Sequence, residues 1–170
     1  MGLVLLVAAC AGRSPAELAQ RDVATVFFIS KSDDRNRVDY GMRLDSHCVP
    51  LAGAVFPYWH EFEPDEHTHA LGAFEDRAYG IAEQRLLARR SDGAEYFVKL
   101  KQLDRPITIT TSKASDGRCT AVAHTKIDNV GAAEFSDAFA QLGGFLSVDY
   151  VEVHGRDART GTRLAERIKP

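Results

Sequence analysis

Histidines and carboxylates gather in one stretch of the chain that carries no lysine or arginine. Residues 61–76 contain six carboxylates together with His67 and His69. An extended strand places two residues of this spacing on the same face, so both imidazoles could bind zinc or another borderline divalent metal. His60 is the third ligand that we predict for such a site. An acidic loop with incidental histidines accounts for the same residues without a metal.

A second carboxylate–imidazole pair lies near the C-terminal end of the chain. Glu152 and His154 would share one face of a predicted strand. Such groups can act as general acid and base, which makes a hydrolase the alternative function for this chain. The sequence shows no Gly-x-Ser-x-Gly elbow, phosphate-binding loop or His-Glu-x-x-His motif, so we assign no catalytic residue. A polar pair satisfied at a strand edge is the interpretation that we prefer.

Aromatic residues are dense around a proline that interrupts regular strand pairing. They could line an apolar pocket for a small ligand, although packing in the core is the interpretation that we prefer. The candidate pocket consists of Tyr58, Trp59, His60, Arg77 and Tyr79.

Cys10 follows an apolar run that spans residues 3–9. The run is too short to cross a bilayer but suits the apolar region of a signal peptide. Val7-Ala8-Ala9-Cys10 resembles the lipobox of bacterial lipoproteins. That resemblance implies cleavage after residue 9 and a lipid anchor on Cys10. The protein would then be exported and held at a bacterial membrane, facing the periplasm or the cell exterior. A buried N-terminal strand with a core cysteine is the alternative.

Acylation of Cys10 would leave Cys48 and Cys119 as the remaining cysteines in an oxidising compartment. Two remaining cysteines predict one disulfide between them. Two unpaired cysteines in the core remain the alternative.

The length of 170 residues suits one domain, and the net charge of -3 gives no field that would attract nucleic acid. We predict a tether or short helix over residues 10–22 and one β-rich domain over residues 23–170. Within residues 38–44, Val38 and Tyr40 alternate with Asp39, which predicts a strand with Asp39 on the face opposite to these apolar residues.

Short alternating segments separated by turns fill the rest of the chain. Residues 71–79 suit a short helix that ends at Gly80, and residues 132–142 fit either a helix or a strand. The pattern predicts an all-β fold: a single antiparallel β-sandwich or barrel of about eight strands, with one or two short helices.

Several blocks also resemble a known bacterial family. They are FFISKS at 27–32, VFPYW at 55–59, AYGI at 78–81 and VDYVEVHG at 148–155. Together they are similar to the family of domain of unknown function 4833 over residues 24–168. The resemblance implies no activity. We therefore expect a non-enzymatic module that binds a small ligand or an envelope protein, with no cofactor assigned except the hypothetical divalent metal and no nucleic-acid partner.

Overall fold

The computed structural model describes residues 25–32, 35–62, 64–143 and 147–169. The predicted signal peptide, Cys10 and the tether lie outside these residues. Within them, one short helix and eleven strands follow in chain order. They are β1 (Thr25–Lys31), β2 (Arg37–Leu44), β3 (Pro50–Glu61), β4 (His67–Ala70), α1 (Ala73–Tyr79), β5 (Ile81–Arg90), β6 (Gly93–Leu100), β7 (Pro106–Lys113), β8 (Cys119–Ile127), β9 (Val130–Leu142), β10 (Val148–Arg156) and β11 (Arg163–Ile168).

All eleven strands belong to one mixed sheet. Its main path runs β4-β3-β2-β1-β9-β8-β7-β6-β5, while β10 pairs with β9 and β11 pairs with β10. The mainly β class is confirmed. The predictions of about eight strands and of wholly antiparallel pairing are wrong, because β1 lies parallel to β9. The path does not close on itself, so a sandwich or barrel is not confirmed.

The ambiguous segment at 132–142 is part of β9, a strand of 13 residues. Ala133 and Phe135 are buried, and burial resumes at Ala138 and Ala140. The alternation of buried and exposed residues shifts by one position at Ser136. His154 and Gly155 follow each other in β10 but lie opposite Asp137 and Phe135 of β9, so Ser136 has no residue opposite it. A β-bulge of this kind adds one residue to one strand of a pair. The bulge hides the alternation that identifies a strand in a sequence.

An aromatic cluster forms the centre of the core. The Phe27 ring stacks on Tyr40 with centroids 4.4 Å apart and lies 5.0 Å from Phe135. Tyr40 is fully buried, and burial raises the pKa of its phenol. Its hydroxyl donates to the carbonyl of Tyr79 at 2.6 Å. This bond satisfies the buried hydroxyl and fixes the end of α1 against the sheet.

The predicted end of the helix at Gly80 is confirmed, because α1 stops at Tyr79. At the other end, the backbone N–H of Gly72 donates to the Glu75 carboxylate at 2.6 Å. Within the residues that the structure describes, no helix has the length and apolar character needed to cross a membrane.

Gln84 joins two strands that share no backbone ladder. Its side-chain oxygen accepts from the N–H of Val55 at 3.0 Å, and its side-chain nitrogen donates to the Val55 carbonyl at 3.1 Å. The hydroxyl of buried Tyr96 donates to the same Gln84 oxygen at 3.0 Å. A single side chain on β5 therefore completes the hydrogen bonding of β3 where the sheet folds back on itself.

The predicted disulfide between Cys48 and Cys119 is present, with the Cα atoms 5.4 Å apart. Cys48 has a left-handed φ of 59° in the turn between β2 and β3. The Asp45 carboxylate supports that turn, because it accepts from the N–H groups of His47 and Val49. The bond joins this turn to the start of β8, across 71 residues of chain.

Removing the disulfide should lower the free energy of unfolding by about 4 kcal/mol, because the unfolded chain regains the entropy that a loop of this size loses. Chemical denaturation of Cys48→Ser/Cys119→Ser against Cys10→Ser measures the difference. In the unreduced, denatured wild type, a thiol assay should find neither Cys48 nor Cys119 reactive. Reactivity of both would contradict the pairing.

Gln84→Leu should destabilise the fold by about 2–5 kcal/mol, since both backbone groups of buried Val55 lose their partner. Glu83→Leu on the same strand is the control. Glu83 is exposed and, within the described residues, forms a surface ion pair with Arg85 alone, so its replacement should cost less than about 1 kcal/mol. Equal midpoints of urea unfolding for the two variants would show that Gln84 does not stabilise the join.

Candidate functional site

The β3–β4 pair brings three metal-ligand side chains together on one face. Glu61 lies opposite His67, and Trp59 lies opposite His69. Because side chains alternate along a strand, Glu61, His67 and His69 share a face. Nε2 of His67 lies 3.3 Å from Oε2 of Glu61, and Nε2 of His69 lies 3.1 Å from Oε1. One ligand atom from each of the three residues lies within 4.8 Å of the other two.

Glu61 and His69 each stabilise the charged form of the other. The hydrogen bond from His69 holds the pKa of the Glu61 carboxyl below its usual range. The backbone carbonyl of Ala70 raises the pKa of His69, and Glu61 adds to that rise. Glu61 is therefore a charged carboxylate at neutral pH. Such an arrangement favours a cation between the side chains, either a proton on an imidazole or a metal ion.

His60, the third ligand that the sequence predicted, does not join this cluster. It pairs with Thr68, one position out of phase with Glu61, and so lies on the other face of β3. Its Nδ1 lies 2.8 Å from Oδ2 of Asp39, and its Nε2 lies 3.0 Å from Oε1 of Glu66. Asp39 is only 1% exposed, so the face of β2 opposite Val38 and Tyr40 is also buried at this residue. His60 thus hydrogen-bonds a buried carboxylate, whose other oxygen lies 3.1 Å from Nε of Arg37.

The predicted aromatic pocket is divided between two faces of β3. Trp59 is buried in the main core, with its ring 6.0 Å from that of Tyr79. Tyr58 is buried on the opposite face and packs against Phe56. Tyr58, Trp59 and His60 therefore do not line one pocket. The interpretation of these aromatics as core residues fits the structure for Tyr58 and Trp59.

Arg77 and Tyr79 do line a cavity, of about 310 Å³, between α1 and the sheet. Its walls come from four strands, the helix and the segment after β6, and they are mostly apolar. The lining residues are Ile29, Phe74, Arg77, Ala78, Tyr79, Leu100, Gln102, Leu103, Ala138, Ala140, Val148 and Val151. The volume lies at the lower end of the range for small-molecule sites.

Arg77 is the charged group on the lining of this cavity. Its side chain is exposed and forms no ion pair with any residue in the described ranges. The neighbouring Asp76 is already paired with Lys101, whose Nζ lies 2.5 Å from Oδ2. The amide of Gln102 donates to the backbone carbonyl of Arg77 at 3.3 Å, which ties the two lining segments together. The guanidinium is thus available to an anion from outside the chain.

A wider depression of about 750 Å³ contains the His154 imidazole. Nδ1 of His154 lies 2.6 Å from Oδ2 of Asp137, directly across the β9–β10 ladder. A carboxylate in this position orients an imidazole for general base catalysis. Sequence reasoning missed Asp137, because only the register of the two strands brings it to His154.

The described residues around His154 and Asp137 do not place a serine hydroxyl where the imidazole could activate it. Nε2 of His154 faces Oε2 of Glu152 at 3.7 Å, which confirms that these two residues share a face. Arg167 engages the same Glu152 carboxylate at 2.7 Å and lowers its pKa by hydrogen bonding. Oγ of Ser136 lies 2.8 Å from Asp137 Oδ1 and 3.2 Å from the His154 carbonyl. The serine hydroxyl is therefore directed away from the nitrogen that would activate it.

Comparison with known proteins places the chain in a family without assigning it an activity. No curated protein matches the sequence, and no solved structure matches it. The family model described as a domain of unknown function (DUF4833) matches residues 27–167. That span contains Glu61, His67, His69 and Arg77. The chain belongs to this family of domains of unknown function, DUF4833.

Proposed function

We propose that this domain is a non-enzymatic ligand-binding module of the bacterial cell envelope. Its ligand is an amphipathic molecule with an apolar chain and an anionic head. The observation that carries the proposal is the cavity between α1 and the sheet, which has mostly apolar walls and, on its lining, an arginine with no ion-pair partner among the described residues.

The apolar part of the ligand would occupy the space bounded by Ile29, Leu100 and Val151. Two large apolar side chains of the lining are also open to water: Phe74 is 66% exposed and Val148 is 39% exposed. Exposed apolar groups that cluster around a cavity are typical of a ligand site. Burial of these side chains by an acyl chain would contribute to affinity through the hydrophobic effect.

The anionic head would bind Arg77. A guanidinium forms two parallel hydrogen bonds with a carboxylate or phosphate, a geometry that a lysine cannot reproduce. Since Asp76 is paired with Lys101, the negative charge adjacent to Arg77 in the chain is already satisfied. The ligand would supply the counter-ion that the described residues do not.

Placement in the cell envelope rests on the cysteines. The sequence around Cys10 resembles a lipobox, which supports attachment to the membrane through an acyl group. The Cys48–Cys119 disulfide supports an oxidising compartment, because such bonds are rare in the cytosol.

Binding is favoured over hydrolysis because no side-chain nucleophile in the described part of the chain is aligned with the imidazole of His154. Its Nε2 faces Glu152 rather than Ser136. A hydrolase that uses this edge, or the histidine-rich segment, stays a prediction from the sequence.

Decanoate should bind the purified protein, and Arg77→Gln should weaken that binding about tenfold through loss of a charged hydrogen bond. Isothermal titration calorimetry below the micellar concentration measures both affinities. Arg77→Glu should reverse the preference and favour decyltrimethylammonium, which carries the same chain with a positive head.

Arg89→Gln is the matched control, because Arg89 is exposed on β5 and lies outside the cavity lining. It should leave decanoate affinity unchanged. Equal affinities of the wild type for decanoate and decyltrimethylammonium would show that Arg77 does not select the head. An absence of binding to both would refute the cavity as an acyl site.

The full chain expressed in bacteria should incorporate labelled fatty acid, and Cys10→Ser should abolish the incorporation. Cys48→Ser/Cys119→Ser is the control and should retain the label in any chain that accumulates. Labelling that persists in Cys10→Ser would rule out the anchor without affecting the proposal for the cavity.

A further inference from the structure

We propose that Glu61, His67 and His69 form a binding site for one zinc ion at the β3–β4 edge of the sheet. This site is independent of the proposed ligand cavity, because none of the three residues lines it.

The spacing of the ligand atoms suits a zinc ion. Zinc binds imidazole nitrogen and carboxylate oxygen at about 2.0–2.2 Å, so tetrahedral ligands lie roughly 3.3–3.5 Å apart. The two contacts of Glu61 with His67 and His69, at 3.3 and 3.1 Å, are close to that separation. These two contacts are made by different oxygens of Glu61. One ligand atom from each residue lies within 4.8 Å of the other two, so no pair of ligand atoms must approach by more than roughly 1.5 Å. Side-chain rotation at an exposed edge can supply that movement.

Backbone carbonyls orient both imidazoles for metal binding. Nδ1 of His67 lies 2.7 Å from the carbonyl of Asp65, and Nδ1 of His69 lies 2.9 Å from the carbonyl of Ala70. A carbonyl only accepts, so each Nδ1 carries the hydrogen. In the neutral imidazole, the lone pair is then on Nε2, the atom that faces Glu61 in both residues. Metal-binding histidines are typically held in this way by a partner at the other ring nitrogen.

The donor set selects the class of metal. Two imidazoles and one carboxylate suit zinc and similar borderline ions, whereas calcium and magnesium prefer oxygen ligands throughout. His67 is 53% exposed and His69 is 41% exposed at the side chain, which leaves a fourth coordination position open to water. Three protein ligands with one open position form a zinc site that can accept a ligand from solution or from a partner.

Zinc would also join a short strand to its neighbour. β4 has four residues and lies at the end of the sheet path, where it pairs only with β3 among the described strands. A metal held by Glu61 of β3 and by His67 and His69 of β4 bridges the two strands. Because the ion binds only the paired arrangement, it should raise the thermal stability of the chain.

Titration of the untagged full chain with zinc chloride should show one site per chain. All samples carry Cys10→Ser, so that no free thiol competes for the metal. Glu61→Gln, His67→Gln and His69→Gln should each weaken binding at least about tenfold, since even residues that only orient ligands contribute that much. Zinc should raise the melting temperature of the parent chain and not that of the three variants.

His47→Gln, in the exposed turn between β2 and β3, should bind zinc as the parent does. His60→Gln should also keep its affinity, because its ring lies on the other face of β3. Circular dichroism establishes that each variant is folded. The site would be overturned by a parent chain that binds no zinc, by unchanged affinity in His67→Gln and His69→Gln, or by an equal loss in His47→Gln.

Discussion

The backbone of β9 must be hydrogen-bonded along its whole length, and the arrangement of the sheet follows from how this is achieved. Its first residues, around Ala133, pair with β8, and Asp137–Ala140 pair with β1. On β10, Val148–Arg156 supply the third set of partners. An unpaired N–H or carbonyl in this buried region would be costly, so three strands are held in register by one. The branch at β9 is also the reason that the sheet does not follow a simple path.

One polar contact and two small side chains determine where the cavity between α1 and the sheet lies. The Tyr40 hydroxyl holds the Tyr79 carbonyl, which fixes the C-terminal end of α1 over the core. Beneath the helix, β9 presents Ala138 and Ala140, whose small side chains leave space that larger residues would fill. The cavity is therefore a product of helix placement and of two alanines. Gln84 likewise uses a polar side chain to join two elements. It hydrogen-bonds the backbone of β3 and so holds β3 beside β5, although these two strands share no backbone hydrogen bonds.

Local patterns allowed some elements to be predicted, and the failures share a physical cause. Gly80 ends α1 as expected, and the pairing of Cys48 with Cys119 follows from the cysteine count. The proposed metal-ligand set depends on the register of β3 against β4, which places Glu61 beside His67 and His69 and places His60 on the other face. Asp137 reaches His154 through the same kind of long-range pairing. Register is fixed by the assembled sheet, so a single sequence does not reveal it.

The parallel pairing of β1 with β9 has a consequence for the order in which the chain acquires structure. The bond from Leu142 to the Ser32 hydroxyl at this junction joins residues 110 positions apart. Contacts of such separation require a large loop to close before they provide any stabilisation, which slows folding. The first strand has no complete set of partners until most of the chain has been synthesised. A nascent chain with this topology could complete its sheet only after β9 had been synthesised, although hairpins such as β5–β6 could pair earlier.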